Sequence, residues 1–321
     1  MMKKLKFIFA VLVLITTCSA FPALTAAAGL PLKISVYEDQ LLSYAKKNGH
    51  FSRAGVEVEI VFSSVATRLV MLGQTDACAA GIVSAVELYL TGEDVEVLAQ
   101  FSSPAGFYGI SRFPPSEASK IMAAAGVAGG GSGMRLRATL KYLGVKDAKF
   151  ERSGSSDADR YKLLEAGKTD LILINDRRLL SRIRASGKYY VIEPRDAYKG
   201  KKFVTAVFAR KAVVKDRSRE FELLVSALHS ALADIAATPG PFIDFLAAEK
   251  GLTRQEAAET QSELVRGAAE TGLEPDEAFA DSLVSEAQTP GGRKARKSAA
   301  GLAFRDYAVK AKKAAAGTGG K

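Results

Sequence analysis

The sequence predicts an α/β protein built from two three-layer lobes that are joined by a hinge and face each other across a cleft. Two observations support this fold class: strand patterns alternate with helix patterns along the chain, and one strand–helix–strand unit occurs twice. The chain has 321 residues, of which 48% are hydrophobic and 25% are charged. This length and composition suffice for two modest domains.

The elements of the first lobe alternate in type. Apolar residues repeat with period two in the strands and with helical spacing in the helices, and glycines end the helices. The predicted elements are a strand at 32–37 (LKISVY), a helix at 40–51 that stops near Gly49, a strand at 56–62 (VEVEIVF), a helix at 64–73 that stops at Gly73, and a strand at 76–81 (DACAAG). This alternation predicts a parallel sheet with helical crossovers.

Part of the first lobe is repeated in the second. Residues 62–77 (FSSVATRLVMLGQTDA, the first copy) align with residues 154–171 (GSSDADRYKLLEAGKTDL, the second copy), with two residues inserted in the second copy. The matched residues are Ser63 with Ser155, Ser64 with Ser156, Ala66 with Ala158, Arg68 with Arg160, Gly73 with Gly167 and Asp76 with Asp170. Because ligands of open α/β sheets bind beyond the carboxyl ends of the strands, the two Ser-Ser steps predict two walls of one cleft.

The remaining elements follow from the same signals. A glycine-rich turn precedes a predicted helix at 134–143, and a strand at 201–211 returns the chain to the first lobe. Four further helices are predicted at 217–237 with Asp216 as its cap, at 241–251 beginning with a proline, at 253–267 with Thr253 and Glu256 as a capping box, and at 275–287.

Residues 1–28 have the pattern of a secretory signal peptide. Three lysines precede an apolar run, and an Ala-x-Ala site predicts cleavage before Gly29. The apolar run falls well short of the ~20 residues that a transmembrane helix needs. Cys18 stands where a lipoprotein signal places its modified cysteine, but residues 15–17 lack the usual small residue, so cleavage and a lipid tether both stay open. If Cys18 is removed with the signal peptide, Cys78 is the one remaining cysteine and cannot form an internal disulfide. It is expected to be a buried thiol.

The net charge of +10 is concentrated at the two ends of the chain. The signal peptide carries three lysines and no acid, and residues 289–321 carry nine basic residues and one acid, which leaves a net charge of −1 for residues 29–288. The basic character therefore belongs to a terminal tail and not to a face of the fold. Nucleic-acid binding is not expected of such a protein.

No motif for catalysis, a metal or a cofactor is found. In the glycine-rich turn Gly133 is followed by Met134 and Arg135, which fits neither a P-loop nor a dinucleotide fingerprint. His50 and His229 have no nucleophile or metal-ligand cluster at a recognisable spacing. The sequence predicts no catalytic residue, no metal and no cofactor, and it leaves the turn as a set of backbone donors for an anion or a polar ligand edge.

Three long segments resemble the periplasmic substrate-binding proteins of ABC transporters, of the type that binds nitrate, sulfonates, taurine or thiamine-pyrimidine precursors. They are YAKKNGHF…ACAAG at 44–81, GVAGGGSGMRLRATLKYLGV at 126–145 and FARKAVVKDRSREF…TRQEA at 208–257. The resemblance implies the type II periplasmic binding protein fold. It divides the chain into a signal peptide at 1–28, a first lobe at 29–105 and 203–288, a second lobe at 106–202 and a basic tail at 289–321, with hinge segments near 103–107 and 199–203.

The resemblance also implies a ligand site at the strand ends. Its residues are Tyr37, Glu38, Asp39, Ser63, Ser64, Gly81 and Ile82 of the first lobe and Ser132, Gly133, Asn175 and Asp176 of the second. Two acids at 38 and 39 favour an amine or an N–H-bearing heterocycle over an inorganic anion, unless they cap the following helix. Arg68 and Arg160 could serve an anion or pair with acids. Residues 122–130 (MAAAGVAGG) depart from the family because they are poor in strand formers where a strand is expected.

The expected function is that of an extracytoplasmic receptor without catalytic activity. A monomer would capture one small polar molecule (a sulfonate, a nitrate-like anion or an aminopyrimidine-type heterocycle) by lobe closure and present it to a membrane permease. Two alternatives stay open: an enzyme on the same fold, resembling chorismate dehydratase or pyrimidine-synthesising relatives, and a sensor that reports ligand to a signalling partner. The signal peptide and the scarcity of histidine argue against the enzyme.

Overall fold

Two β-sheets organise the chain from Leu32 onward. The computed structural model describes residues 30–37, 39–102, 107–126, 130–152, 156–197, 204–271, 273–274, 276–284, 301–307 and 310. The predicted signal peptide, nearly all of both hinge segments and most of the predicted tail lie outside these residues. The predicted domain boundaries therefore stay predictions, and "first lobe" and "second lobe" denote below the two sheets with the helices packed on them.

The strands and helices have the following bounds. The strands are β1 (Leu32–Val36), β2 (Val58–Phe62), β3 (Ala77–Gly81), β4 (Val95–Ser102), β5 (Tyr108–Ser111), β6 (Ala123–Gly126), β7 (Lys149–Arg152), β8 (Leu171–Ile174), β9 (Tyr190–Ile192), β10 (Val204–Arg210) and β11 (Ala303–Phe304). The helices are α1 (Gln40–Lys47), α2 (His50–Ala54), α3 (Ala66–Met71), α4 (Ile82–Leu90), α5 (Gly130–Tyr142), α6 (Asp157–Glu165), α7 (Arg177–Ser186), α8 (Pro194–Ala197), α9 (Lys211–Asp216), α10 (Ser218–Ala237), α11 (Pro239–Lys250), α12 (Arg254–Thr271) and α13 (Glu277–Ser282), with a 3₁₀ turn at Pro115–Lys120.

The two sheets share one strand order. The first sheet runs β11-β4-β10-β3-β1-β2, and the second runs β9-β5-β8-β6-β7. Within each, three neighbouring strands are parallel (β3-β1-β2 and β8-β6-β7), whereas β10 and β5 pair antiparallel to both of their neighbours. The sheets are therefore mixed and not purely parallel as predicted, because β10 in the first sheet and β5 in the second run antiparallel to the strands beside them.

Apolar cores cover both faces of each sheet. One face of the first sheet packs on α1, α2, α10, α11 and α12, with Phe221 and Phe242 fully buried. Its other face belongs to a core that includes α4 and continues into the second lobe through α5, where Leu136 is fully buried. A third core fills the far face of the second sheet. This confirms the predicted α/β class with helices on both sides of two sheets.

No single described helix is long and apolar enough to cross a bilayer. The pair α10 and α11 passes that test only together, and the two helices are bent by 102° at their junction. Their apolar residues Leu228, Ile235 and Leu246 are buried in the core of the first lobe.

Several local predictions need correction. The predicted helix at 40–51 is two helices, because Gly49 adopts φ +70° between them. Asp216 does not cap α10: it is the last residue of α9, and Arg217 precedes α10. The helix predicted to begin at Met134 begins at Gly130, so the glycines form its first turn and not a loop.

Gly126, the last residue of β6, has a packing role in the second sheet. β6 consists of three alanines and Gly126, and it lies between β7 and β8 as the middle one of the three parallel strands. A Cβ atom on Gly126 would lie 2.7 Å from Cδ2 of Leu136 in α5. Glycine at this position therefore makes room for the side chain of Leu136.

Part of the predicted basic tail belongs to the first sheet. β11 pairs parallel with the edge strand β4, and Arg305 forms an ion pair with the buried carboxylate of Glu96 at 2.9 Å. Leu302 and Tyr307, on either side of β11, are buried, and the Tyr307 hydroxyl lies 2.7 Å from Oγ of Ser218. Residues 301–307 are thus attached to the first lobe by packing as well as by charge.

Candidate functional site

A cavity of about 900 Å³ lies at the carboxyl ends of strands from both sheets. Seven of the predicted site residues line it: Tyr37, Asp39, Ser64, Gly81, Ser132, Asn175 and Asp176. Ser156 of the second copy lines the same cavity as Ser64 of the first copy. The two Ser-Ser steps therefore reach one shared space, as the repeat in the sequence predicts.

Three predicted residues lie outside the cavity wall. Ile82 is 1% exposed and packs in the core, because it begins α4 with its side chain turned inward. Ser63 bonds the backbone on both sides: its N–H donates to the carbonyl of Val36 at the end of β1 (2.8 Å), and its Oγ accepts from the N–H of Val65 in its own turn (3.1 Å). Gly133 is buried inside α5. Glu38 lies outside the described residues.

The two acids of the predicted site that the structure describes are helix caps. Asp39 is the N-cap of α1, where its carboxylate accepts the N–H of Leu42 at 2.6 Å. Asp176 is the N-cap of α7 and accepts the N–H of Leu179 at 3.0 Å. Because each carboxylate accepts from the start of its own helix, it repels a bound anion less than a solvated acid would.

A buried ion pair fixes the second-lobe wall. Arg160 and Asp157 form an ion pair in which both side chains are 6% exposed. The second carboxylate oxygen of Asp157 accepts the N–H groups of Asn175 and Asp176, each at 2.7 Å, and Nε of Arg160 donates to the carbonyl of Leu173 at 2.8 Å. This network ties the start of α6 to the carboxyl end of β8 and positions the turn that carries Asn175.

The described cavity wall carries more basic than acidic side chains. The basic residues are Arg68, Arg135, Arg160, Arg177, Arg178 and Lys250, and the acidic residues are Asp39, Asp157, Asp176 and Glu249. Beyond the two caps and the buried pair, Glu249 is 2.6 Å from Nζ of Lys47, which holds the pKa of its carboxyl below the usual value. All four acids thus have a cationic or backbone partner, so the wall is chemically suited to an anion.

Contacts between the lobes border the cavity. Arg177 of α7 donates to the hydroxyl of Tyr108 and lies 3.4 Å from Oε1 of Glu256 in α12. The other carboxylate oxygen of Glu256 accepts the N–H (2.9 Å) and hydroxyl (3.0 Å) of Thr253, which confirms the predicted capping box. Burial raises the pKa of Glu256, but the bonds from Thr253 and the charge of Arg177 outweigh it and bring this pKa below its usual value.

Backbone also meets backbone across the cleft. A Cβ atom on Gly81, at the end of β3, would lie 3.5 Å from Cα of Gly131 in the first turn of α5. The guanidinium of the buried Arg135, one helical turn further along α5, stacks 4.8 Å from the ring centre of Phe107. The start of α5 therefore lies in van der Waals contact with the end of β3 in the first sheet.

The arginines of the wall and Asp157 were not among the predicted site residues. The repeat in the sequence pairs Arg68 with Arg160 and so marks both positions. It does not show that one arginine is buried in an ion pair and the other is exposed. Arg135, Arg177 and Arg178 carry no pattern in the sequence that separates them from ordinary surface arginines.

Among the described residues, no group of three or more His, Cys, Asp or Glu side chains is arranged to hold a metal ion. Cys78, in β3, is fully buried, and burial raises the pKa of its thiol to about 11. This is the buried thiol that the sequence predicts.

Solved structures share this architecture. The fold is similar to that of a Bordetella bronchiseptica RB50 protein (TM-score 0.63, 17% identity, 90% of this chain and 99% of that chain). It is also similar to the periplasmic aliphatic sulphonate-binding protein SsuA of Escherichia coli (0.58, 14%, 82% and 95%) and to a Candida albicans protein with the generic periplasmic binding protein fold (0.57, 12%, 81% and 98%). No protein-family model and no curated protein matches the sequence. The likeness confirms the predicted architecture: this chain has the periplasmic binding protein fold.

Proposed function

We propose that the protein is an exported solute-binding receptor of an ABC importer, which holds one small organic anion between its lobes and releases it unchanged. The observation that carries this proposal is the shared cavity, whose walls come from equivalent strand ends of two equivalent sheets. A ligand that contacts both walls binds the closed form more tightly than the open form, and so it shifts the population toward closure.

The charge of the wall favours an anion over an amine-type heterocycle. The argument for an amine rests on Glu38 and Asp39, and Asp39 is engaged as a helix cap. The volume of about 900 Å³ suits an organic molecule better than nitrate, which would fill a small part of it. A similar fold in a protein named for aliphatic sulphonates supports the same ligand class.

The remaining parts of the proposal follow from the receptor role. Residues 1–28 would export the chain, a membrane permease would accept the ligand, and the receptor would act as a monomer. No catalytic step is proposed, since neither the sequence nor the described part of the cavity wall presents a recognisable nucleophile with its base.

Ligand screening tests the proposal directly. The protein from Gly29 onward is to be heated with taurine, butane-1-sulfonate, nitrate and an aminopyrimidine, while the solution is assayed for products. We expect saturable stabilisation by a sulfonate, about 2.7 kcal/mol at a hundredfold excess over Kd, without any product. A product formed from one of these compounds would support the enzyme instead, and absence of stabilisation by all four would contradict the receptor for this ligand class.

Lobe closure is tested at the ion pair between Arg177 and Glu256. Glu256→Gln keeps the capping box, because glutamine also caps at this position, but it removes the charge that faces Arg177. We expect sulfonate affinity to fall about threefold to tenfold in calorimetry. Thr253→Ala is the matched control: it costs about 1 kcal/mol of stability through the lost cap and should leave the affinity close to that of the natural protein. Equal affinities for Glu256→Gln and Thr253→Ala would contradict the closure role.

A further inference from the structure

Each copy places one arginine on the cavity wall, and the two arginines differ in burial and in their ion-pair partners. Arg160 of the second copy is 5% exposed, pairs with Asp157 and donates to the carbonyl of Leu173. Its charge is neutralised and its donors are engaged inside the second lobe, so it serves the structure of the wall. A ligand could not recruit this guanidinium without breaking a buried ion pair.

Arg68 of the first copy has no such partner. The residue three positions before it, equivalent to Asp157, is Val65. Arg68 is exposed on the cavity wall, and among the described residues its guanidinium has no ion pair or hydrogen bond. Asp39 and Glu249, the described acids on the first-lobe side of the wall, are already engaged: Asp39 accepts from the backbone of α1, and Glu249 pairs with Lys47. In the second copy the arginine thus stabilises the fold, whereas in the first copy it is exposed to the cavity.

Apolar surface lies beside Arg68. Val65 is 50% exposed and Tyr37 is 42% exposed, and both line the cavity with it. Exposed apolar side chains next to one unpaired cation form a surface that can contact the hydrocarbon part and the charged end of one molecule.

We propose that Arg68 is the residue of the first lobe that selects an anionic ligand, and that Val65 at the position of Asp157 leaves its charge free for that ligand. This inference rests on the proposed receptor function. Closure of the lobes would exclude water around Arg68 and so strengthen its ion pair with the bound acid group. Arg68 is therefore expected to determine selectivity for charge, whereas Arg160 determines the shape of the opposite wall.

The sharpest test restores the missing acid. Val65→Asp gives the first copy the residue that the second copy has at 157, so the new carboxylate should capture Arg68 three positions away. Arg68→Met removes the charge, and Arg68→Lys keeps it. With butane-1-sulfonate as the probe in calorimetry, we expect Val65→Asp and Arg68→Met to weaken binding about 10- to 100-fold, and Arg68→Lys to restore part of the affinity. The salt dependence of Kd should become shallower in Arg68→Met.

Two controls separate charge from shape and from folding. Val65→Asn introduces a side chain of the same size as Val65→Asp but without the charge. Its affinity for butane-1-sulfonate should be at least several-fold higher than that of Val65→Asp. Arg219→Met removes an exposed positive charge outside the cavity, where Arg219 pairs with Glu222, and should bind the probe as the natural protein does. Unchanged melting temperatures of all variants show that the fold is kept.

The outcomes are distinct. If the natural protein binds butane-1-sulfonate and both Val65→Asp and Arg68→Met bind it equally well, Arg68 is not the selecting residue, although the receptor function stands. Equal losses in Val65→Asn and Val65→Asp, with full affinity in Arg68→Met, overturn the inference in favour of packing at position 65. If the natural protein binds none of the four screened compounds, the proposed function fails and the inference fails with it.

Discussion

The first and second copies of the strand–helix–strand unit form the same contacts at the acid before β3 and β8, but they form different contacts at the cavity. Asp76 accepts the N–H of Lys33 (2.8 Å) and pairs with Arg217, and Asp170 accepts the N–H of Ala123 (3.1 Å) and pairs with Arg112. Both carboxylates thus hold the beginning of the middle one of three parallel strands, β1 in the first sheet and β6 in the second. At the other end of the copies, Val65 stands where Asp157 stands. Asp76 and Asp170 thus match in sequence and in role, whereas Arg68 and Arg160 match in sequence but differ in their partners, because Val65 stands where the second copy has an acid.

The largest difference between the copies is expected at that diverged position. Asp157→Ala removes a buried ion pair and the acceptor of two backbone N–H groups, and it leaves the charge of Arg160 buried without its carboxylate. We expect a loss of about 3–5 kcal/mol in the free energy of unfolding, measured with urea. Val65→Ala in the first copy should cost less than about 1 kcal/mol, since Val65 is half exposed. Similar losses in both variants would show that the copies do not differ as described.

The strand starts should respond alike in the two copies. Asp76→Asn and Asp170→Asn each replace a charged acceptor by a neutral amide, and we expect each to cost about 1–3 kcal/mol in urea unfolding. The loss should be larger for Asp170, because its carboxylate also accepts the N–H of Met122 at 2.9 Å. If only one of the two variants lost stability, the two carboxylates would not have equivalent structural roles.

Glycine is required at the matched helix ends. Gly73 and Gly167 adopt φ +71° and +67°. Alanine at either position should lower the stability by about 1–2 kcal/mol, because a Cβ atom is strained in the left-handed region. Gly81→Ala is the control: Gly81 has φ −55°, and a Cβ atom there would make only ordinary contacts of 3.5 Å or more, so the same substitution should cost less than about 0.5 kcal/mol. Thermal melts of the three variants would decide this, and a neutral Gly73→Ala or Gly167→Ala would count against strain at that helix end.

The smallest effect concerns Cys78, which follows the first copy where Ile172 follows the second. Since burial raises the pKa of the thiol to about 11, only about one thiol in a thousand is ionised at pH 8. In the folded chain from Gly29 onward, we expect iodoacetamide to leave Cys78 unmodified at pH 8 and to label it fully in urea, as read by mass spectrometry. Rapid labelling of the folded protein would show that β3 is more open than its counterpart β8.

Much of the fold could be predicted because its signals are local. Period-two patterns located β1 and β2, short strand-like runs located β3 and β10, and the Thr253–Glu256 capping box located the start of α12. The glycine-rich turn was misjudged, since glycine has low helix propensity and α5 nevertheless begins at Gly130. Packing of Leu136 of α5 against Gly126 of β6 supports the helix, and such packing between separate elements leaves no local signal in the sequence.

The candidate site divides in the same way. The Ser-Ser step that includes Ser64 and the glycine-rich turn that includes Ser132 were predicted from their own sequence signals, whereas Tyr37 and Asn175 were implied by the resemblance to the binding proteins. All four residues line the cavity. The inward turn of Ile82 could not be predicted, because α4 follows β3 without a loop and the direction of its first side chain depends on the core beneath it.

The sequence by itself determined the alternation of strands and helices, the duplicated unit and the position of the Ser-Ser steps, because these depend on residue periodicity and on turn and cap residues that are neighbours along the chain. The tertiary structure alone decided which charges remain free for a ligand. An acid is neutralised by whichever cation or N–H group the fold brings to it, as the N–H groups of Asn175 and Asp176 are brought to Asp157 and Lys47 is brought to Glu249. The pairing across 202 positions between Lys47 and Glu249 is a property of the folded chain, and it could not be read from either residue's neighbours.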